Sequence, residues 1–133
     1  MKNIPLNFHH LGIATRNIDI EYNQWMRFGY RKETEVFKDI NQGVKGIFLV
    51  GTGPRLELLE PLENSKTLDP YLKKGIGFYH YGYKTRDIFE SLDSLVSDGF
   101  KLIRKPMPAI AFDGKEICFL INSSLKMIEL IQE

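Results

Sequence analysis

A single cysteine, Cys118, stands among 133 residues. One thiol cannot close an internal disulfide, and the count agrees with a cytoplasmic home. Cys118 sits inside the longest unbroken apolar run, Ile117 to Ile121, and is read as a core residue rather than a nucleophile. That run is far too short to span a bilayer, and Met1-Lys2-Asn3-Ile4-Pro5 lacks the apolar stretch of a signal peptide. No membrane association is expected. An excess of charge is also missing: 18 basic residues face 17 acidic ones. A net charge of +1 gives no electrostatic case for nucleic acid as a partner. Gly51-Thr52-Gly53-Pro54 is no phosphate loop, because strand rather than helix follows it.

What is present is an internal repeat. His10-Leu11-Gly12-Ile13-Ala14-Thr15-Arg16-Asn17-Ile18 is echoed by His80-Tyr81-Gly82-Tyr83-Lys84-Thr85-Arg86-Asp87-Ile88, in which His, Gly, Thr, Arg and Ile recur at a constant offset. Gly29-Tyr30 matches Gly99-Phe100 at the same offset. A second echo closes each half: Leu56-Glu57-Leu58-Leu59-Glu60 resembles Ile128-Glu129-Leu130-Ile131-Gln132, with the offset drifted only slightly.

Both halves read alike. Phe8 to Ala14 and Phe78 to Lys84 are aromatic and β-branched, as strands are. Asn17 and Asp87 are N-cap candidates. Ile18, Tyr22, Trp25 and Met26 fall at helical spacing, as do Ile88, Leu92, Leu95 and Val96. Gly29 and Gly99 are placed to stop these helices. Three strands follow in each half: about 30–37, 44–50 and 55–59, then about 101–104, 116–120 and 125–131. Asp113-Gly114 and Asn122-Ser123-Ser124 supply turns. A short helix is expected around Leu68 to Lys73.

The expected fold is α+β: two βαβββ modules forming an open, curled mixed sheet around a metal-containing cavity. One domain, 1–133, would hold a first module of about 7–61, a linker of 62–76 and a second module of about 77–133.

The metal follows from the duplication. Each half places one His on its first strand and one Glu on its last, so two imidazoles and two carboxylates face one cavity. Strand alternation keeps His10 on the face of Gly12 and Ala14, and His80 on that of Gly82. Glu57 and Glu129 are flanked by apolar neighbours, where an isolated carboxylate is costly. A divalent cation removes that penalty for both. Two nitrogens and two oxygens suit one divalent transition metal (Zn, Ni, Co, Fe or Mn) better than Ca or Mg. His10, Glu57, His80 and Glu129 are therefore the expected ligands. His9 has no counterpart, since Tyr79 holds its place; it alternates to the other face and is read as structural. Arg16 and Arg86 recur at strand-to-helix junctions, where solvated or structural roles are expected. Tyr79, Tyr81 and Tyr83 either line the pocket or pack.

Phe8-His9-His10-Leu11-Gly12-Ile13-Ala14, Leu56-Glu57-Leu58-Leu59-Glu60-Pro61, Gly77-Phe78-Tyr79-His80 and Met127-Ile128-Glu129-Leu130 carry a resemblance to the vicinal oxygen chelate (glyoxalase/bleomycin resistance/dioxygenase) superfamily, methylmalonyl-CoA epimerase-like branch. It implies the same four metal ligands. It also implies a metal-dependent lyase or isomerase acting on a small molecule through enolate or enediolate chemistry, with Glu129 or Glu57 as the base. Pairing as a homodimer is implied as well. Glyoxalase I (lactoylglutathione lyase) and a non-catalytic small-molecule-binding protein of the bleomycin-resistance type stay open as alternatives. One departure stands out: where the epimerases place a second acid after a Gln-Gly-Val-like stretch, Gln42-Gly43-Val44-Lys45 leads to Gly46. Proton removal without efficient inversion is the expectation, and Gly46→Glu is expected to restore inversion.

Overall fold

The computed structural model describes residues 3–133. Met1 and Lys2, read above within the opening segment, lie outside the described residues. No helix among the described residues is long and apolar enough to cross a membrane. The chain divides into two compact units, His10–Tyr79 and a second made of the described residues up to His9 with His80–Glu133. Each unit carries one repeat of the expected βαβββ order, with mixed parallel and antiparallel pairing.

In the first unit the elements are β1 (Leu6–Ala14, from His10 onward), α1 (Ile18–Met26), β2 (Arg31–Lys32), β3 (Phe37–Asp39), β4 (Val44–Val50), β5 (Leu56–Pro61) and α2 (Asp69–Lys74). Strand order is β2-β4-β5-β1, with β3 also on β4. The second unit holds β6 (Phe78–Thr85, from His80), α3 (Ile88–Ser97), β7 (Lys101–Pro108), β8 (Glu116–Asn122) and β9 (Lys126–Gln132), in the order β6-β9-β8-β7. The first strand of each module lies parallel to the last, β1 to β5 and β6 to β9, and the other pairs are antiparallel.

The helix punctuation is the same in both. The Asn17 side chain accepts from Ile20 N, and that of Asp87 from Phe89 N and Glu90 N. Each helix ends in a glycine at positive φ, 84° at Gly29 and 96° at Gly99. The next residue then reaches back along the helix, Tyr30 N to Trp25 O and Phe100 N to Leu95 O, as in a Schellman end. One more cap comes from far along the chain. Glu60 Oε1 accepts from Ile18 N and Gln132 Oε1 from Ile88 N, each at 2.9 Å. The last residues of the second echo therefore satisfy the first free N–H of each helix. Truncating such a cap costs about 1 kcal/mol. Glu60→Ala and Gln132→Ala are expected to lower the melting temperature measurably, and unchanged melting would mean that water replaces both side chains at no cost.

Alternate strand residues pack under the helices. Ile47, Leu49, Leu56 and Leu58 meet Ile18 and Tyr30 in one unit; Cys118, Leu120, Ile128 and Leu130 meet Ile88, Leu92 and Leu95 in the other. The remaining residues of these strands, including Phe48, Glu57, Phe119 and Glu129, lie on the opposite sheet face by alternation.

Two strand boundaries differ from the sequence reading. The expected strand over 30–37 is broken, with β2 and β3 pairing to opposite ends of β4. In the gap Phe48 N donates to the Thr34 hydroxyl rather than to a backbone carbonyl, and Glu33 N donates to Phe48 O. A side chain has taken a place in the ladder. The expected strand over 101–104 instead runs on to Pro108, with register shifts on either side of Arg104. Pro106 and Pro108 read as breakers, but β7 ends the strand order, and an edge strand tolerates a missing N–H.

Candidate metal centre

Each unit builds one His–Glu pair by the same register. Gly12 stands opposite Glu57 in the parallel β1–β5 pair, and Gly82 opposite Glu129 in β6–β9. Two residues before each glycine, on the same face, comes the histidine. His10 Nε2 lies 3.1 Å from Glu57 Oε1, and His80 Nε2 lies 3.1 Å from Glu129 Oε1. A glycine in each of these places adds no side chain of its own beside the carboxylate. Exposure is 0% for His10, 4% for Glu57, 1% for His80 and 3% for Glu129.

One donor atom from each of His10, Glu57, His80 and Glu129 lies within 4.8 Å of those of the other three, a group that could hold a metal ion. The chemistry of the set supports that use. Each 3.1 Å contact sets an imidazole nitrogen beside a carboxylate oxygen, two donors that a cation would draw on. Two carboxylates buried this deeply need compensating positive charge. One divalent ion supplies it, and the nitrogen–oxygen donor set is consistent with a transition metal.

Each pair is also walled by a phenylalanine. Phe48 stands directly opposite Glu57 in the β4–β5 ladder, and Phe119 directly opposite Glu129 in β8–β9. The Phe48 ring meets His10 at 5.4 Å and 75°, and the Phe119 ring meets His80 at 5.5 Å and 81°. Sequence reasoning missed both. The signal was a third echo, Phe48-Leu49-Val50 against Phe119-Leu120-Ile121, at an offset between those of the other two.

The other residues singled out fall elsewhere. His9 packs edge-on against Phe112, a structural contact. Arg16 Nη2 donates to Leu72 O, tying the strand-to-helix junction to α2. Tyr79 is buried against Tyr71. Tyr81 and Tyr83 pack into the core under α3, so they alternate away from His80. Cys118 is buried; burial first, then the Glu129 and Glu116 carboxylates, push its thiol up to about 12, so it stays protonated and inert.

Gly46 lies two residues before Phe48 on the same face of β4. A Cβ there would stand 2.6 Å from Phe37 Cζ, 2.8 Å from Leu59 Cδ2 and 3.1 Å from Leu58 O. The Phe37 ring thus fills the space that a side chain at 46 would enter. The nearest atoms are the far ends of the Phe37 and Leu59 side chains, which would have to shift, with Leu58 O behind them, so Gly46→Glu carries a packing cost beside the acid it supplies.

The chain is similar to known proteins over most of its length. Residues 9–119 match the family described as the Glyoxalase/Bleomycin resistance protein/Dioxygenase superfamily. The ethylmalonyl-CoA/methylmalonyl-CoA epimerase of Cereibacter sphaeroides is 30% identical over 114 residues, covering 84% of this chain and 85% of that protein. The mitochondrial methylmalonyl-CoA epimerase of Dictyostelium discoideum is 25% identical over 126 residues, covering 92% of this chain and 75% of that one. In fold, the crystal structure of methylmalonyl-CoA epimerase from Mycobacterium tuberculosis superposes with a TM-score of 0.81 at 21% identity, over 99% of this chain and 91% of that one. With its duplicated His–Glu pairs and this match, the chain belongs to the glyoxalase (vicinal oxygen chelate) superfamily, in its methylmalonyl-CoA epimerase-like branch.

Proposed function

We propose that His10, Glu57, His80 and Glu129 are the ligands of one divalent transition metal. We further propose that the protein is a lyase or isomerase that takes a proton from carbon beside a substrate carbonyl. The observation that carries this reading is the convergence of four buried donor atoms within 4.8 Å. The 30% identity to an ethylmalonyl-CoA/methylmalonyl-CoA epimerase supports a 2-alkylmalonyl thioester as the substrate class. In such a molecule C2 lies between two carbonyl carbons, so its hydrogen is already acidic.

A bound divalent cation would supply a Lewis acid for the charge that develops on a neighbouring oxygen as the proton leaves. The protein residues divide the remaining work. His10 and His80, held by their strands at full burial, are the fixed donors. Glu57 and Glu129 bring the balancing charge, and one of them, Glu129 foremost, takes the substrate proton on a carboxylate oxygen. Phe48 and Phe119 keep water from these carboxylates, which leaves the base less hydrated than at a surface.

Isothermal titration calorimetry on chelator-treated protein tests the foundation. About one Zn(II), Co(II), Ni(II) or Mn(II) should bind per chain, and chelation should lower the melting temperature. An ion held at 100 times its dissociation constant contributes roughly 2.7 kcal/mol. No heat of binding with any of these ions would remove the metal reading. A panel of methylmalonyl-CoA, ethylmalonyl-CoA and the glutathione hemithioacetal of methylglyoxal then separates epimerase-like chemistry from that of glyoxalase I.

A further inference from the structure

We infer that Phe48 and Phe119 are a duplicated pair of positioning residues, which set the ring planes of His10 and His80 for metal binding. The inference rests on the metal reading above and adds a role for residues outside the donor set. Its first support is register. Each phenylalanine is the direct cross-strand partner of a candidate ligand carboxylate, Phe48 of Glu57 and Phe119 of Glu129. In an antiparallel ladder, directly opposed side chains share a face at about 5 Å. Each ring therefore stands beside the carboxylate while meeting the histidine edge to face.

The second support is repetition. The two contacts nearly coincide in geometry, 5.4 Å and 75° in the first unit against 5.5 Å and 81° in the second. The surrounding strands have diverged far more. Gly46 before Phe48 answers to Ile117 before Phe119, the edge strands differ in length, and the ladder beside β4 is broken while that beside β8 is bulged. A ring kept in one orientation amid such differences points to a shared task rather than to space filling alone.

The physical role follows. An imidazole has two soft torsions, and a useful donor must hold its Nε2 lone pair on the metal direction. A T-shaped phenyl contact favours one ring plane over its rotated alternatives. The same phenyl denies water a place against the carboxylate, so the His–Glu pair faces less competition from solvent. Hydrogen-bonded partners that orient ligands commonly change metal affinity by roughly 10–100-fold when removed, and an aromatic edge contact is expected at the lower end of that range.

The test compares wild type with Phe48→Leu and Phe119→Leu, and with Ile47→Val as a control on the opposite face of β4. Phe48→Met and Phe119→Met replace any leucine variant that fails to fold by circular dichroism. Co(II) affinity is measured by competition with a chromogenic chelator, and the Co(II) d–d absorption bands report ligand geometry. Each phenylalanine variant is expected to raise the Co(II) dissociation constant about tenfold and to shift the d–d bands, while Ile47→Val leaves both as in wild type. Unchanged affinity and bands in the phenylalanine variants would overturn the inference. So would an equal change in Ile47→Val, which would trace the effect to general loosening. Absence of Co(II) binding by wild type would instead strike the metal reading itself, and with it this extension.

Discussion

In deuterated water, the protein is expected to exchange the C2 hydrogen of one methylmalonyl-CoA stereoisomer about 10²–10⁴ times faster than it inverts that centre. Inversion needs a proton removed on one face of the carbon and delivered on the other, so it generally needs two proton-handling groups. By the function proposed above, Glu129 or Glu57 takes the proton off. By the family resemblance the second group would be an acid at position 46, where this chain has glycine. The structure sharpens the point. The space over Gly46 is closed by the Phe37 ring, which also lies against Phe48 at 5.9 Å. Water is a poor substitute in a place lined by phenyl rings. Exchange and inversion are separable by mass spectrometry and by chiral analysis of the recovered acid. Inversion keeping pace with exchange would defeat the prediction and direct attention to another acid, Glu35 being the nearest glutamate before Gly46 in the sequence.

Replacing Glu129 by Gln is expected to lower the C2 exchange rate by about 10²–10⁴-fold at saturating metal. The amide keeps an oxygen donor of similar size but cannot accept the proton. Glu57→Gln is the matched comparison, since Glu57 has the same cross-strand phenylalanine and the same 3.1 Å histidine contact. A large loss in Glu129→Gln with a small one in Glu57→Gln assigns the base to the second half, and the reverse pattern assigns it to the first. If both variants exchange at close to the wild-type rate, neither carboxylate is the base.

Much of this was legible because the chain repeats itself. A lone strand histidine carries little information, yet His10 and His80 with Glu57 and Glu129 at matching places in two echoes carry a great deal. Asn17 and Asp87, Gly29 and Gly99 were legible for a different reason: caps act within a few residues of the chain. Long-range roles were hidden. Glu60 and Gln132 cap helices that begin far earlier in the chain, and nothing local to either marks that use. Phe48 and Phe119 lie in apolar runs, where one aromatic looks like any other until register sets it opposite a carboxylate. The break after Lys32 escaped notice because it depends on the Thr34 hydroxyl finding Phe48 N. The crowding at Gly46 belongs to tertiary packing, since Phe37 reaches it from the neighbouring strand.

The repeat in the sequence is not the seam of the fold. Leu6 to His9 open the first module, yet they count with the second unit. There Leu6 packs among the residues under α3, Phe8 meets Tyr83 at 5.6 Å, and His9 meets Phe112 at 5.5 Å. A chain severed in the linker, between Pro61 and Gly77, is therefore expected to yield two fragments of similar size, with Leu6 to His9 parted from the residues they pack against. The first would carry off strand residues on which it has no claim, and the second would expose the apolar ground they cover.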